Sequence, residues 1–117
     1  MIDHKVLDDL SKLSQSGDQD LARRVIAAYL ECSDELMHQL GDAISSADRE
    51  DVRSKAHALK SSSANVGALE LSEICRSLEA AATEGKLEGI RELWQRLREE
   101  HGQVISALKS RIEEAAA

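Results

Sequence analysis

The sequence predicts an all-α fold: an antiparallel up-down-up-down four-helix bundle with a short extra N-terminal helix. Three observations carry that prediction. The alphabet is helix-forming, since 117 residues include no Pro and no Phe, only Tyr29 and Trp94 are aromatic, and Ala, Leu, Glu, Ser and Arg recur throughout. Strands favour the β-branched and aromatic residues in which this chain is poor. Apolar residues return every three or four positions along five stretches, the helical repeat. The stretches are separated by brief clusters of Gly, Ser and Asp, and short joints make successive helices antiparallel neighbours. A β-sandwich or barrel is excluded. The whole of residues 1–117 reads as one domain, long enough to take roughly two thirds of its surface out of water.

The first helix, about residues 3–14, is carried by Val6, Leu7, Leu10 and Leu13 and ends in Ser14-Gln15-Ser16-Gly17. The bundle itself, about residues 18–114, opens at Asp18, a side chain suited to cap a helix N-terminus. Its first long helix places Leu21, Val25, Ala28, Cys32, Leu36, Leu40 and Ala43 on one side, and Ser45-Ser46-Ala47-Asp48 closes it. Asp48 with Asp51 three residues on resembles a capping box and starts the next helix, through Val52, Ala56, Leu59, Ser63 and Val66, until Gly67 interrupts it. Another helix follows with Leu71, Ile74, Cys75, Leu78 and Ala82 and stops near Gly85. The last is long, with Ile90, Leu93, Leu97, Val104, Leu108 and Ile112 in a stripe of period about 3.5. Gly89 and Gly102 fall inside it, each costing roughly 1 kcal/mol relative to Ala; close packing or a local bend is the reason expected for them.

Fifteen Lys plus Arg against twenty-two Asp plus Glu leave a net charge of −7 with both signs interspersed. No basic stripe exists to displace counterions from nucleic acid, so nucleic acid is not an expected partner. No apolar run approaches the length of about 20 residues that spans a bilayer, and membrane contact is not expected. Cys32 and Cys75 stand alone, without a CxxC spacing, as in a reducing cytoplasm. The cytoplasm is therefore the expected location. The single stripe of the last helix is needed by the bundle, which leaves a monomer as the expected state.

Four histidines are sorted by helical angle, about 100° per residue. His57 points roughly 140° away from the apolar set of its helix, so it faces out, among Glu50, Arg53, Ser54, Lys60, Ser61 and Ala64. Lys60 lies one turn along the same face. An exposed imidazole beside an ammonium group and small hydroxyls suits an anion such as a phosphoryl group; a solvated surface histidine is the other reading of the same geometry. His101 falls within roughly 20° of its helix's stripe and reads as a core or bundle-end residue with local partners. His38 lies opposite its stripe, and His4 sits near the terminus. Glu35-Leu36-Met37-His38 spells the Glu-x-x-His of di-iron bundles once, without the second copy, and no zinc spacing is present. No metal and no cofactor are expected on this chain. There is no phosphate-binding loop or nucleophile elbow, so the chain has no means to bind ATP.

The segment Ala56-His57-Ala58-Leu59-Lys60-Ser61-Ser62-Ser63-Ala64-Asn65-Val66-Gly67-Ala68 resembles the signature of histidine phosphotransfer (HPt) domains, phosphoryl carriers of bacterial two-component phosphorelays. In that pattern a His is followed by two residues, Lys, a small residue, Ser, and Gly-Ala about ten positions on. The next helix carries an apolar-Cys-x-x-Leu-Glu run, here Ile74-Cys75-Arg76-Ser77-Leu78-Glu79. The likeness covers most of the chain, because the family is a four-helix bundle with a short extra N-terminal helix. Ser61 stands where the family most often has Gly, and the Phe the family often places in the core is absent.

The resemblance implies that His57 is the phosphoacceptor, through Nε2. It implies that Lys60 favours the phosphoryl group or helps dock the partner, that Ser61 and Ser62 line the approach, and that Glu79 binds the other ring nitrogen and fixes the tautomer. The expected function is a phosphorelay intermediate exchanging a phosphoryl group with the aspartate of response-regulator receiver domains, upstream of which stands a hybrid sensor histidine kinase. It is a carrier and not an enzyme; the Mg²⁺ belongs to the receiver. The docking surface is expected around His57 and the first helix, with Ile2, Val6 and Leu10 as apolar contacts. Two other readings stay open at this point: a helical interaction module that carries no phosphate, and the C-terminal fragment of a hybrid kinase.

Overall fold

Helix-forming composition and 4-3 apolar spacing produce four consecutive α-helices in the computed structural model, which describes residues 2, 3, 5 and 20–116. They are α1 Asp20–Ser45, α2 Arg49–Asn65, α3 Leu69–Glu84 and α4 Ile90–Ala116, with a 3-10 turn at Leu87–Gly89 leading into α4. Each helix packs on its successor and α4 returns to α1, with α2 on α3 the most extensive contact. The four therefore occupy the corners of a square, α2 diagonal to α4. Of the first helix expected at about 3–14 only Asp3 and Lys5 are described; His4, Val6, Leu7, Leu10 and Leu13, and the expected cap Asp18, lie outside the described residues.

Leu40, Leu59, Leu71, Leu78, Leu97 and Leu108 have no exposed surface, and burying each stabilises the fold by about 2 kcal/mol. α2 and α3 present the faces expected of them: Val52, Ala56, Leu59 and Ser63 are buried on one, Leu71, Ile74, Cys75, Leu78 and Ala82 on the other. α1 differs. Its buried side is Ala22, Ile26, Tyr29, Ser33, Leu40 and Ala43, while Ala28 and Cys32 are exposed. The true stripe includes two hydroxyl residues whose partners lie on other helices. The Tyr29 hydroxyl and Ser63 Oγ are 2.9 Å apart, and Ser33 Oγ is 3.0 Å from His101 Nε2. Because these buried polar atoms are paired, they sit in the core without the penalty of an unmet hydrogen bond. Burial pushes the Tyr29 phenol up to about 12 against the opposing hydrogen bonds to Ser63 and Ser33.

The joints are built from local chemistry. Asp48 Oδ1 accepts the Asp51 N–H at 3.1 Å and caps α2, and Arg49 crosses to the far end of α3, where its Nε donates to the Ala82 carbonyl at 3.1 Å and its Nη2 to the Thr83 carbonyl at 3.2 Å. The α2–α3 joint turns on Gly67, with φ +80°. A Cβ there would stand 2.3 Å from the Asp3 carbonyl oxygen, so only glycine fits both the left-handed backbone and the N-terminal segment crossing over it. That segment is fixed by the Asp3 N–H donating to the Gly67 carbonyl at 2.7 Å. Ile2 is buried beside it, 7 % exposed, which corrects its expected role as a docking contact: the Asp3–Gly67 bond pins its neighbour to the joint and leaves the side chain in the core. Gly89 is also corrected, since it ends the 3-10 turn before α4. Neither Gly89 nor Gly102 is in close packing, for a Cβ at either would meet nothing within 4 Å; Gly41, by contrast, lies under the Trp94 ring.

Candidate functional site

α2 turns its inner stripe to the core and leaves the opposite side open, and His57 stands in the middle of that side with 57 % of its side chain exposed. The neighbours one turn away on its open flank, Ser54 and Ser61, and Ala58 beside it are exposed and small, so nothing overhangs the ring. Glu79 approaches from α3. It lies one turn beyond Cys75, which is fully buried, so its side chain emerges at the edge of the α2–α3 seam, where it is 21 % exposed.

The carboxylate is divided between two partners on α2. Oε1 is 3.0 Å from His57 Nδ1, and Oε2 accepts from Lys60 Nζ at 2.8 Å. The Lys60 ammonium above all, and then the His57 hydrogen bond, hold the Glu79 carboxyl below the usual glutamate range against the opposing effect of burial. Glu79 is thus ionised at neutral pH and can only accept. The proton of the neutral imidazole must then sit on Nδ1, which leaves the Nε2 lone pair free and aimed away from α3 toward solvent. The tautomer follows from the carboxylate, and the site is an exposed imidazole with a free Nε2, held by a second helix.

Lys60 is positioned twice. Its side chain is on Glu79, and its backbone carbonyl accepts from Ser72 Oγ of α3 at 2.9 Å. Ser72 was missed by sequence reasoning, although its spacing of three and then four to Cys75 and Glu79 puts all three on one stripe of α3. Cys75 lies beneath, its thiol pushed up to about 12 by burial and by the Glu79 charge, with Lys60 opposing. The two serines separate. Ser61 is exposed one turn beyond His57. Ser62 is turned toward α1: its Oγ donates to the Leu59 carbonyl of its own helix at 3.2 Å, and it lines a groove with Val25, Tyr29 and Asn65. At five positions from His57 it points about 140° away, so it does not border the imidazole. Lys60, expected beside an incoming phosphoryl group, is found on Glu79.

The other described histidines have local partners. His38 is solvent-exposed, 3.7 Å from Asp42 Oδ2. His101 is half-buried on Ser33, and burial holds its imidazole below the usual value, Asp34 opposing. Among the described residues no group of three or more His, Cys, Asp or Glu side chains could hold a metal ion, and no helix is long and apolar enough to cross a membrane.

The fold has counterparts among known proteins. The crystal structure of histidine-containing phosphotransfer protein B (HptB) from Pseudomonas aeruginosa PAO1 superposes with a TM-score of 0.89 at 26 % identity, covering 97 % of this chain and 95 % of that one. Multistep phosphorelay regulator 1 of Schizosaccharomyces pombe is 24 % identical over 93 residues, 80 % of this chain. The chain spans about a third of that protein's length, 32 %. Residues 24–115 match the Hpt domain family; that span takes in α2, α3, the exposed imidazole and nearly all of α1 and α4, and the chain belongs to that family.

Proposed function

We propose that this chain is a phosphorelay intermediate that carries a phosphoryl group on Nε2 of His57. The observation that carries the reading is the outward imidazole whose Nδ1–H is claimed by an ionised Glu79. The partner is a receiver domain phosphorylated on aspartate. The Nε2 lone pair attacks phosphorus, the P–N bond forms as the P–O bond to the aspartyl carboxylate breaks, and that carboxylate leaves. No proton has to move, because Nδ1–H stays on the ring. The imidazole gains positive charge as the bond forms, and Glu79 already faces it, so the stabilising charge is in place before the reaction. Donation to a second receiver is the same path reversed.

Holding the ring from α3 fixes its direction at the moment of encounter, which removes an orientational cost from a reaction between two macromolecules. Ser61 belongs to the approach surface as a small, exposed neighbour, and Ser62 to the α1 side of the helix. The receiver supplies Mg²⁺ and the pocket around the transferred group, while a hybrid sensor histidine kinase stands upstream. The chain acts as a cytoplasmic monomer and a carrier. Incubation with a receiver phosphorylated by a small-molecule donor tests this. Wild type is expected to acquire an acid-labile, base-stable phosphoramidate and His57→Gln to acquire none; transfer retained in His57→Gln overturns the assignment.

A further inference from the structure

Two cations flank His57, and the structure treats them differently. By helical angle Arg53 lies about 40° and Lys60 about 60° to the α3 side of His57, one turn before it and one turn after. Lys60 is bound at 2.8 Å to Glu79, the carboxylate that also fixes the imidazole. If Lys60 moved to a phosphoryl group, that carboxylate would be left with half its support. Arg53 has no such duty. Its Nε and Nη2 rest on Glu50 of the preceding turn, and Glu50 is 77 % exposed. Exposed ion pairs of this kind hold weakly and are screened by salt. Arg53 is itself 40 % exposed and sits one turn from the ring on the same side of the helix as Glu79.

From this we infer that Arg53 is the cation that meets the phosphoryl group on His57, exchanging Glu50 for it, while Lys60 remains on Glu79 as a positioning residue. The inference rests on His57 being the phosphoacceptor. A phosphoryl group carries up to two negative charges at neutral pH, against the single charge of Glu50. A guanidinium offers a planar fork of donors that matches its oxygens, where an ammonium offers a point charge. The exchange therefore runs toward the phosphoryl group, and Glu50 keeps Arg53 aligned along the helix until then. No bond is made or broken in this step, which is a change of ion-pair partner.

The test follows the ionisation of the phosphoryl group itself. The full chain is phosphorylated with phosphoramidate, from which ammonia leaves as the P–N bond to His57 forms, and the phosphohistidine signal is titrated by ³¹P NMR. A cation one helical turn away favours the dianion, so Arg53→Gln is expected to raise the second phosphoryl pKa by about half a unit. Arg53→Lys is expected to restore most of that shift, and Glu50→Gln to leave the pKa at or below the wild-type value. Lys60→Gln is expected to disturb the Nδ1 proton signal more than the phosphoryl titration. An Arg53→Gln titration superimposed on wild type, with the shift appearing in Lys60→Gln instead, overturns the inference and leaves the phosphoacceptor standing. A wild-type chain that neither phosphoramidate nor a phosphorylated receiver can load overturns both. A merely structural role for Arg53 would change the melting temperature without moving the titration.

Discussion

Replacing Glu79 separates orientation of the nucleophile from the nucleophile itself. The wild-type carboxylate makes two charge-assisted contacts, 3.0 Å to His57 Nδ1 and 2.8 Å to Lys60 Nζ. Fully buried, a hydrogen bond to a charged group contributes about 1.5–3 kcal/mol. Here one side of the first contact is 57 % exposed, so water competes and about 1 kcal/mol is the appropriate share for the His57 bond. Lost from the transition state, that slows transfer from a phosphorylated receiver about fivefold, the outcome expected for Glu79→Ala. Glu79→Gln keeps an oxygen for Nδ1–H but turns an amide NH₂ toward the Lys60 ammonium and removes the charge that faces the developing imidazolium. An intermediate loss of about two- to threefold is expected. Single-turnover transfer measures the rate, and ¹⁵N shifts of the His57 ring report which nitrogen carries the proton. Wild type should show Nδ1–H, and Glu79→Ala a mixture of tautomers. Unchanged ring shifts together with a wild-type rate in Glu79→Ala would refute the orienting role.

Gly67→Ala is expected to cost about 2–4 kcal/mol in urea unfolding, from a left-handed alanine and from displacement of the Asp3–Gly67 hydrogen bond; wild-type stability would show that the N-terminal segment does not cross the joint. Gly102→Ala, in open space within α4, should instead stabilise by about 1 kcal/mol. With a thiol-reactive dye, exposed Cys32 should react at once, while Cys75, with its pKa near 12, should react only on unfolding; two fast thiols would contradict the buried site beneath Glu79. His101 has a folded pKa below the ordinary 6.5, so the unfolded ring takes up its proton first. Its contribution is present above that value and is lost as pH falls through the window down to the folded pKa. Denaturant midpoints should decline across that window and decline less in His101→Gln; equal slopes would count against the burial of the His101 ring.

α2 and α3 were legible in the sequence nearly residue by residue, because their stripes are apolar but for Ser63 and their ends carry Asp48, Gly67 and Gly85. α1 was misread by one position in its first half, and the reason is physical. Its stripe 22, 26, 29, 33, 36, 40 and 43 keeps a strict 4-3 rhythm, but Tyr29 and Ser33 are polar residues made tolerable inside by Ser63 and His101 on other helices. A reading that scores apolarity alone slides to Ala28 and Cys32; one that scores rhythm first does not. The site divided in the same way. That His57 faces outward follows from angle within one helix. That Glu79 holds it, that Lys60 is already engaged and that Ser72 supports Lys60 all depend on how α3 lies against α2, and the resemblance supplied only the first of these.

The seam between α2 and α3 explains why a carboxylate from one helix can hold an imidazole on the other. Ala56, just inside His57, and Cys75, one turn before Glu79, are small, have no exposed surface and belong to the same core cluster. Small residues at a helix interface let the axes approach toward the lower end of the usual 8–10 Å. Ser72 then ties the backbones together through the Lys60 carbonyl. The two methylenes of Glu79 then place its oxygens 3.0 Å from Nδ1 and 2.8 Å from Nζ. Larger side chains at this fully buried seam would have to move α3 outward, and the Glu79 carboxylate would be drawn off His57. The precision with which the imidazole is held is thus set by the size of residues buried behind it.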